Sequence, residues 1–325
     1  MKRFSVIIPI FNRPEELDEL LESLEKQSFK DFEILVVEDG SSLKSDAVVK
    51  QYENTLDIKY FFKENEGQGF ARNYAAKKAN GEYLVIFDSD VVVPREYFET
   101  VNEALTQEAL DAYGGEDRAD EYFNDHQKAL SFAMTSIFTT GGIRSKKNNA
   151  GGSYQIRSYN MGIKASVFNE IGGFKKTNMG EDMELNHRLQ QLGFKKDFIE
   201  GAYVFHKRRG DFGSFFRQIV SFGRTRIQLK RNYNIPVKPV HILPVLFTVF
   251  VLSLPILFFL NKALFDLSLG VLWLYFMVIF IASAYQNNSI NVGILSIPAA
   301  FIQLFAYGIG FILEAIGGSN RNQTQ

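Results

Sequence analysis

The sequence contains no cysteine among its 325 residues. Disulfide bonds and thiolate metal sites are therefore excluded as sources of stability or chemistry. The net charge is only −1 at pH 7, so no broad basic surface favours nucleic acid as a partner. No long apolar segment follows Met1 directly. We therefore interpret the start of the chain as the first strand of a cytoplasmic domain rather than as a cleaved signal peptide.

Charged residues almost disappear towards the end of the chain. Beyond residue 240 the only ones are Lys262, Asp266, Glu314 and Arg321. Three apolar segments there are each long enough to cross roughly 30 Å of hydrocarbon as a helix: residues 241–260, 267–285 and 292–316. We predict a membrane region of about three helices over residues 241–316, followed by a polar tail at 317–325. The alternative is the buried helical core of a soluble domain.

The segment before the first apolar stretch is strongly basic. Residues 206–240 carry nine Lys or Arg side chains and one acid, Asp211. Aromatic residues at near-helical spacing among these cations predict an amphipathic segment over residues 211–240 that lies at the lipid headgroups. The charge bias predicts a multi-pass protein of the cell membrane whose first domain is cytoplasmic. Two alternatives stay open: a basic helix that covers the domain's own core, and a re-entrant third apolar segment.

Residues 1–210 alternate between apolar strands and amphipathic helices. The predicted strands are residues 4–10, 32–37, 58–62 and 83–87, and the clearest helices are 14–27 and 70–79. This alternation predicts the α/β class, with a mostly parallel sheet covered on both faces. Ligands of such sheets bind beyond the carboxyl ends of the strands.

Acidic residues lie at two of these strand ends. Glu38 and Asp39 close the second strand, and Asp88 and Asp90 follow the fourth with Ser89 between them. Alternate residues of a strand share a face, so Asp88 and Asp90 could bind one ligand. Mg²⁺ or Mn²⁺ with phosphate oxygens suits such a pair, which fits a nucleoside diphosphate. The alternative is a pair of acids that merely ends a strand.

Three other segments are candidates for the same site. Arg72 follows a short Gly67-x-Gly69 pattern and could meet a nucleotide phosphate at a helix N-terminus, or be an ordinary surface cation. Glu181 and Asp182 open an amphipathic helix. One of them could be a general base, or both could simply favour the positive end of the helix dipole. The Gly-rich basic segment 141–153 could be a lid or a surface loop.

Four segments together resemble the inverting family 2 glycosyltransferases. They are FSVIIPIFNRPEELDELLESLEKQSFKDFEILVVEDGSS, NEGQGFARNYAAKKANGEYLVIFDSD, YNMGIKASVFNEIGGF and GEDMELNHRLQQLGF. The resemblance covers about residues 3–210. It implies the nucleotide-sugar-binding fold called GT-A, and transfer of a sugar from a UDP- or GDP-sugar with inversion at the anomeric carbon.

The resemblance also implies roles for individual residues. Those that would bind the nucleotide sugar are Pro9, Glu38, Asp39, Arg72, Asp88, Ser89, Asp90, Gly173, His206 and Arg209. Asp90, with Asp88, would hold Mg²⁺ or Mn²⁺. Asp182 would be the catalytic base, with Glu181 as its neighbour. Glu38 stands where the family more often has aspartate, so the nucleoside preference stays open.

The membrane region implies an acceptor that is lipid-linked or part of a cell-surface glycan. Processive synthases of the family carry Gln-x-x-Arg-Trp before their membrane helices. The equivalent stretch here, FFRQIVSFGRTRIQL, lacks that motif, and the single tryptophan is Trp273. We therefore predict a non-processive enzyme. Two alternatives remain: a polyprenyl-phosphate glycosyltransferase, and a membrane scaffold that binds nucleotide sugars without catalysis.

Overall fold

The computed structural model describes most of the chain, namely residues 1–120, 122–143, 148–150, 152–175, 179–207 and 211–317. The chain divides into two compact units. Unit 1 consists of Met1–Arg118, Ser145–Asn148 and Ser153–Lys207. Unit 2 consists of Ala119–Arg144, Asn149–Gly152 and Arg208–Gln325. Residues 119–144 group with the C-terminal part of the chain. The domain boundary at residue 210 stays a prediction.

The described residues form strands and helices in alternation over unit 1 and mainly helices over unit 2. The strands are β1 (Phe4–Ile10), β2 (Phe32–Asp39), β3 (Ile58–Lys63), β4 (Tyr83–Ile86), β5 (Val91–Val92), β6 (Ala112–Gly114), β7 (Asp117–Arg118), β8 (Asn148–Asn149), β9 (Gly152–Ser153), β10 (Met161–Lys164), β11 (Lys196–Phe198) and β12 (Val204–His206). The helices are α1 (Pro14–Glu25), α2 (Asp46–Tyr52), α3 (Gln68–Ala76), α4 (Tyr97–Gln107), α5 (Asp125–Thr135), α6 (Ile137–Thr140), α7 (Ala165–Glu170), α8 (Glu181–Gln191), α9 (Phe212–Tyr233), α10 (Leu243–Leu260), α11 (Lys262–Asn287) and α12 (Ile290–Gly317).

The main sheet of unit 1 has the strand order β11-β6-β10-β4-β1-β2-β3. β1 pairs in parallel with β2 and β4, and β2 pairs in parallel with β3. β10 is antiparallel to both of its neighbours. The predicted α/β class with a mostly parallel sheet is therefore confirmed. Because β1 lies between β2 and β4, the acidic ends of those two strands flank it on the same edge of the sheet.

Both faces of the sheet are buried, which explains the continuous apolar runs of its strands. Phe4, Val6 and Ile8 of β1 pack in one cluster with the apolar stripes of α1 and α4. Ile7 points the other way, into a cluster with the apolar residues of α3 and α8. Since α3 and α8 share one face, side chains from both can reach the same strand ends.

Unit 2 contains the apolar helices. Among the described residues, three helical segments are long and apolar enough to cross a membrane: Pro239–Leu260, Lys262–Asn287 and Ile290–Gly317. Only 6% of the most apolar stretch of α10, and 11% of that of α11, is buried within the structure. In α12 the buried share is 50%. α12 packs closely on α9. The contact is so close at Gly310 that a Cβ there would lie 2.0 Å from the carbonyl oxygen of Val220.

The basic amphipathic helix therefore has a protein partner. α9 buries Phe215, Ile219 and Gly223, and its apolar side chains cluster with residues of α5 and α12. Arg231 forms an ion pair of 2.9 Å with Glu314 of α12. The same cluster explains why residues 119–144 group with unit 2, since Leu130 and Ala133 of α5 pack there.

Candidate active site

Asp39, at the end of β2, holds the start of α3. Its carboxylate accepts hydrogen bonds from the backbone N–H groups of Glu66 (3.1 Å) and Gly67 (2.8 Å). Lys63 Nζ lies 2.9 Å from Asp39 Oδ1. Gly67 precedes α3 with φ +96°, a backbone conformation that favours glycine. Asp39 therefore fixes the Gly-rich turn, and its predicted contact with a nucleoside base would come in addition to this role.

Glu38 is fully buried and held by the loop that follows β2. It accepts hydrogen bonds from the backbone N–H of Ser45 (2.8 Å), from the Tyr60 hydroxyl (3.2 Å) and from the Ser41 hydroxyl. The carboxylate thus organises the connection between β2 and α2. Pro9 lies on the neighbouring strand, where it pairs with Val37. Nucleotide binding by Glu38 or Pro9 stays a prediction.

Arg72 of α3 joins two of the predicted acids. Its guanidinium lies 2.6 Å from Asp88 Oδ1 and 2.9 Å from Glu181 Oε1, and its side chain is 0% exposed. It also lies over the ring of Phe174, 5.3 Å from the centroid. Gln68, one turn earlier, donates to Glu181 at 2.6 Å. Arg72 therefore connects the end of β4 to the first turn of α8.

Burial raises the pKa of Glu181 to about 7, an effect that the positive charge of Arg72 opposes and the nearby charge of Asp182 increases. A buried carboxyl is destabilised in its charged form unless a cation compensates it. Arg72 supplies that compensation. Glu181 is therefore placed as a partner of Arg72 within the structure of the site.

Asp182 occupies the first turn of α8 beside a cation that the sequence analysis missed. Arg157 Nη1 lies 3.4 Å from Asp182 Oδ2. The other carboxylate oxygen accepts from the backbone N–H of Met183 at 2.7 Å. Arg157 is buried, and no motif around it marks it as part of a site. Only the packing against α8 reveals its partner.

Asp90 lies between two basic side chains. Arg13 Nη1 is 3.6 Å from Asp90 Oδ2, and His206 Nε2 is 3.1 Å from Asp90 Oδ1. The antiparallel pairing of β12 with β5 places His206 opposite Val91 and so next to Asp90. On the far side of the ring, His206 Nδ1 lies 3.7 Å from Asp117. The sequence predicted His206 for this region, but it gave no sign of Arg13 or Asp117.

The remaining predicted residues are placed as follows. The Ser89 hydroxyl donates to Glu16 at 3.2 Å, so it turns away from its acidic neighbours. Gly173 has φ +64°, and a Cβ there would lie 2.5 Å from Asn73 Oδ1. Asn73 in turn bonds both the N–H and the C=O of Phe174 at 2.8 Å. Gly173 thus fits its turn closely against α3. Arg209 lies outside the described residues.

The donor set at the end of β4 is compatible with a divalent cation. Asp88 and Asp90 supply carboxylate oxygens, the ligand type that Mg²⁺ and Mn²⁺ prefer. Within the part of the chain that the structure describes, no three His, Asp or Glu side chains are already arranged as a metal cage. An ion held by one or two carboxylates would complete its shell with phosphate oxygens and water.

α3 contacts several of the predicted site residues. Its N-terminal turn is held by Asp39 of β2, and its Arg72 reaches both Asp88 and Glu181. Asp182 follows Glu181 directly. These charged side chains therefore gather beyond the carboxyl ends of the strands, which is where enzymes of the open α/β class bind their ligands.

The comparison with protein families identifies that class. The model described as "Glycosyl transferase family 2" matches residues 5–172. The chain belongs to this family and is a glycosyltransferase, as the sequence motifs predicted.

Named relatives agree with the assignment. The chain is 28% identical to glycosyltransferase GlyG of Streptococcus pneumoniae serotype 4 over 223 residues, which cover 63% of this chain and 71% of GlyG. It is 40% identical over 100 residues to TarS of Staphylococcus aureus, a poly(ribitol-phosphate) β-N-acetylglucosaminyltransferase, which covers 30% of this chain but only 18% of TarS.

Two solved structures share the fold. The mannosyltransferase PcManGT of Pyrobaculum calidifontis, in complex with GDP-Man and Mn²⁺, has a TM-score of 0.62 at 17% identity, over 94% of this chain and 87% of PcManGT. Residues 1–349 of S. aureus TarS in complex with UDP-GlcNAc give 0.51 at 20% identity, over 98% of this chain and 92% of that one. The predicted GT-A fold is confirmed.

Proposed function

We propose that the chain is a membrane-associated, inverting and non-processive glycosyltransferase. It moves a sugar from a UDP- or GDP-sugar to a hydroxyl of a lipid-linked or cell-surface glycan. The observation that supports this most is the double ion pair of Arg72 with Asp88 and Glu181. It brings the first turn of α8, which carries Asp182, to the acidic end of β4, where the diphosphate of the donor would lie.

The proposed chemistry is a single displacement. Asp182 removes the proton of the acceptor hydroxyl, whose oxygen then forms a bond to the anomeric carbon. The bond from that carbon to the diphosphate breaks on the opposite face, and the nucleoside diphosphate leaves with the electron pair. Arg157 orients the carboxylate of Asp182. Because Arg72 is fully buried, it acts by holding Asp88 and Glu181 in place.

A divalent cation would be held by Asp90 with Asp88. When bound, it would offset the negative charge that develops on the leaving diphosphate. His206 and Arg13 lie on two sides of Asp90 and orient its carboxylate. PcManGT, which shares the fold, is in complex with GDP-Man and Mn²⁺, and this supports a divalent cation as part of the proposal.

The function is tested by release of nucleoside diphosphate from a panel of UDP- and GDP-sugars, with the full chain in detergent. We expect turnover of at least one donor, its loss in EDTA and its recovery with Mn²⁺ or Mg²⁺. An Asp90→Asn variant should lose roughly 100-fold or more of the rate at any metal concentration, because one charged ligand is removed. Asp31→Asn, an exposed acid directly before β2, is the matched control. Turnover of no donor, or full turnover in EDTA, would overturn the proposal.

We further propose that α10 and α11 cross the membrane as a helical hairpin. α12, in contrast, does not cross it and packs on α9. α10 and α11 leave most of their apolar side chains exposed, whereas half of the α12 window is covered. The covering helix α9 exposes Arg217, Arg224 and Lys230. Charged side chains of that kind are expensive within hydrocarbon. The end of α12 would therefore lie on the same side as α9.

The absence of cysteine makes this topology measurable with single introduced cysteines. We expect Asn234→Cys, Asn288→Cys and Ile316→Cys to react with a membrane-impermeant maleimide from the cytoplasmic side. Asn261→Cys, between α10 and α11, should react from the opposite side or be protected. If Ile316→Cys is labelled only from the opposite side of the membrane to Asn234→Cys, α12 crosses the bilayer and the hairpin is wrong.

A further inference from the structure

Unit 2 exposes two large apolar side chains outside its three long apolar helices. Ile137 is 59% exposed and Phe138 is 49% exposed, and they are the first two residues of the short helix α6. We call this pair the α6 tip. The tip lies within residues 129–143, ALSFAMTSIFTTGGI, a stretch that contains no charged residue. The proposed sugar transfer gives these exposed apolar side chains no role.

The α6 tip lies beside α11. Phe132 of α5 packs in one cluster with Ile279 of α11 and Ala300 of α12. Further along the chain, the Tyr275 hydroxyl donates to the carbonyl oxygen of Phe138 at 3.1 Å. Tyr275 lies near the middle of α11. α5 and α6 therefore lie along α11, and the tip contacts one of the two helices of the proposed hairpin.

Two contacts place α6 level with the start of α10. The ring centroids of Tyr275 and Phe247 are 6.3 Å apart, and Phe247 is four residues beyond the start of α10 at Leu243. Four residues are about 6 Å along a helix axis. At the end of α6, a Cβ on Gly141 would lie 3.7 Å from Val240 Cγ2, just before α10. The start of α10 is where the proposed hairpin enters the membrane from the side of α9.

Polar groups around the α6 tip are bonded within the chain, as a hydrocarbon environment requires. Three hydroxyls donate to backbone carbonyl oxygens of the same segment over 2.8–3.2 Å, namely those of Thr135, Thr139 and Thr140. The Ser136 hydroxyl accepts from the backbone N–H of Phe138 at 3.2 Å, and the carbonyl oxygen of Phe138 is bonded to Tyr275. The tip can therefore enter lipid without leaving these polar groups unpaired.

We propose that the α6 tip inserts among the lipid acyl chains of the cytoplasmic leaflet, beside α10 and α11. Leu243 and Leu246, at the start of α10, are also exposed, so the tip extends an apolar surface that the hairpin already brings to lipid. Insertion of an apolar element by roughly 5–10 Å is typical of interfacial segments. The inference rests on the proposed membrane hairpin but requires no catalysis. The Gly-rich segment after α6 would then begin at the membrane surface.

The absence of cysteine allows one fluorophore to be attached at Phe138→Cys. The labelled full chain is reconstituted into liposomes of phosphatidylcholine and phosphatidylglycerol. Three quenchers are compared: a lipid nitroxide near the headgroup, a lipid nitroxide at the end of the acyl chain, and aqueous iodide. We expect the nitroxide near the headgroup to quench this label about twice as strongly as the deeper one, and iodide to quench it little.

Two matched positions calibrate the depth. Leu252→Cys, exposed in the middle of α10, should be quenched more strongly by the deeper nitroxide. Tyr122→Cys, exposed before α5, should be quenched mainly by iodide. If Phe138→Cys does not fold, Ile137→Cys at the same tip takes its place, and the same result is expected.

Three outcomes would overturn the inference. Strong quenching of the tip by iodide, with none by lipid, would place the tip in water. Protection from all three quenchers would mean that protein, such as a second copy of the chain, covers it. If Leu252→Cys is not quenched by lipid, the hairpin is wrong and the inference fails with it. None of these outcomes bears on sugar transfer, which the release of nucleoside diphosphate decides separately.

Discussion

Asp182→Asn is expected to lower the rate of sugar transfer roughly 10²- to 10⁴-fold, which is the range of a general base. Asparagine keeps the shape of the side chain but cannot accept the proton of the acceptor hydroxyl. The variant should still bind the donor, because the groups at the ends of β2 and β4 are unchanged. Initial rates at saturating donor, and a thermal shift with the same nucleotide sugar, separate the two effects.

One control and one further variant test whether the effect is specific to Asp182 as the base. Glu170→Gln, an exposed acid on α7, should leave the rate within about twofold. Arg157→Gln should lower kcat more than it changes KM for the donor, since Arg157 contacts Asp182 alone among the proposed reacting groups. A transfer rate of Asp182→Asn within tenfold of the unsubstituted chain would show that another group removes the proton.

The sheet was predictable because its physical signal is local. Strands buried on both faces read as unbroken apolar runs, and β1 and β2 begin where those runs begin. Asp88 and Asp90 were identified for the same reason, since acids at the end of a buried strand stand out. Because parallel strands of one sheet have their carboxyl ends at the same edge, the ends of β2 and β4 were expected to lie close together.

The partners within the site were not predictable from local pattern. Arg72 meets Glu181 across 109 residues, and Arg157 meets Asp182 across 25. Such contacts depend on how α3 and α8 pack on the sheet, and no periodicity in the sequence encodes that distance. His206 shows the same limit, because only the pairing of β12 with β5 sets it beside Asp90.

Hydropathy likewise predicted the three long apolar helices of unit 2 but not which of them are covered by other helices. A lipid tail and an apolar helix face favour the same side chains, so α10 and α12 look alike by composition. The residues that distinguish α12 from α10 are glycines at which another helix approaches closely. Gly308 and Gly310 let α12 approach α10 and α9 closely, since a Cβ on Gly308 would lie 2.1 Å from Thr248 Oγ1. Close approach of this kind marks a helix–helix contact.

Removal of Arg72 is expected to destabilise unit 1 more than any other single change in the site. Arg72→Met keeps most of the side-chain volume but leaves buried Glu181 without its cation. Breaking one side of a buried ion pair typically costs about 3–5 kcal/mol. Thermal unfolding in detergent should show a clear loss of stability. Lys77→Met, an exposed cation directly after α3, is the matched control and should change it little.

The dependence of this loss on pH tests the cause. The folded-state pKa of Glu181, about 7, lies above its ordinary value of 4.5, so this group lowers stability as pH rises through that interval. Without Arg72 the folded pKa should rise further, and the loss should extend beyond pH 7. The deficit of Arg72→Met is therefore expected to be smaller at pH 5 than at pH 8. Glu181→Gln added to Arg72→Met should remove most of this pH dependence, because no buried charge then forms. An equal deficit at both pH values would mean that lost packing, and not the unpaired carboxylate, is responsible.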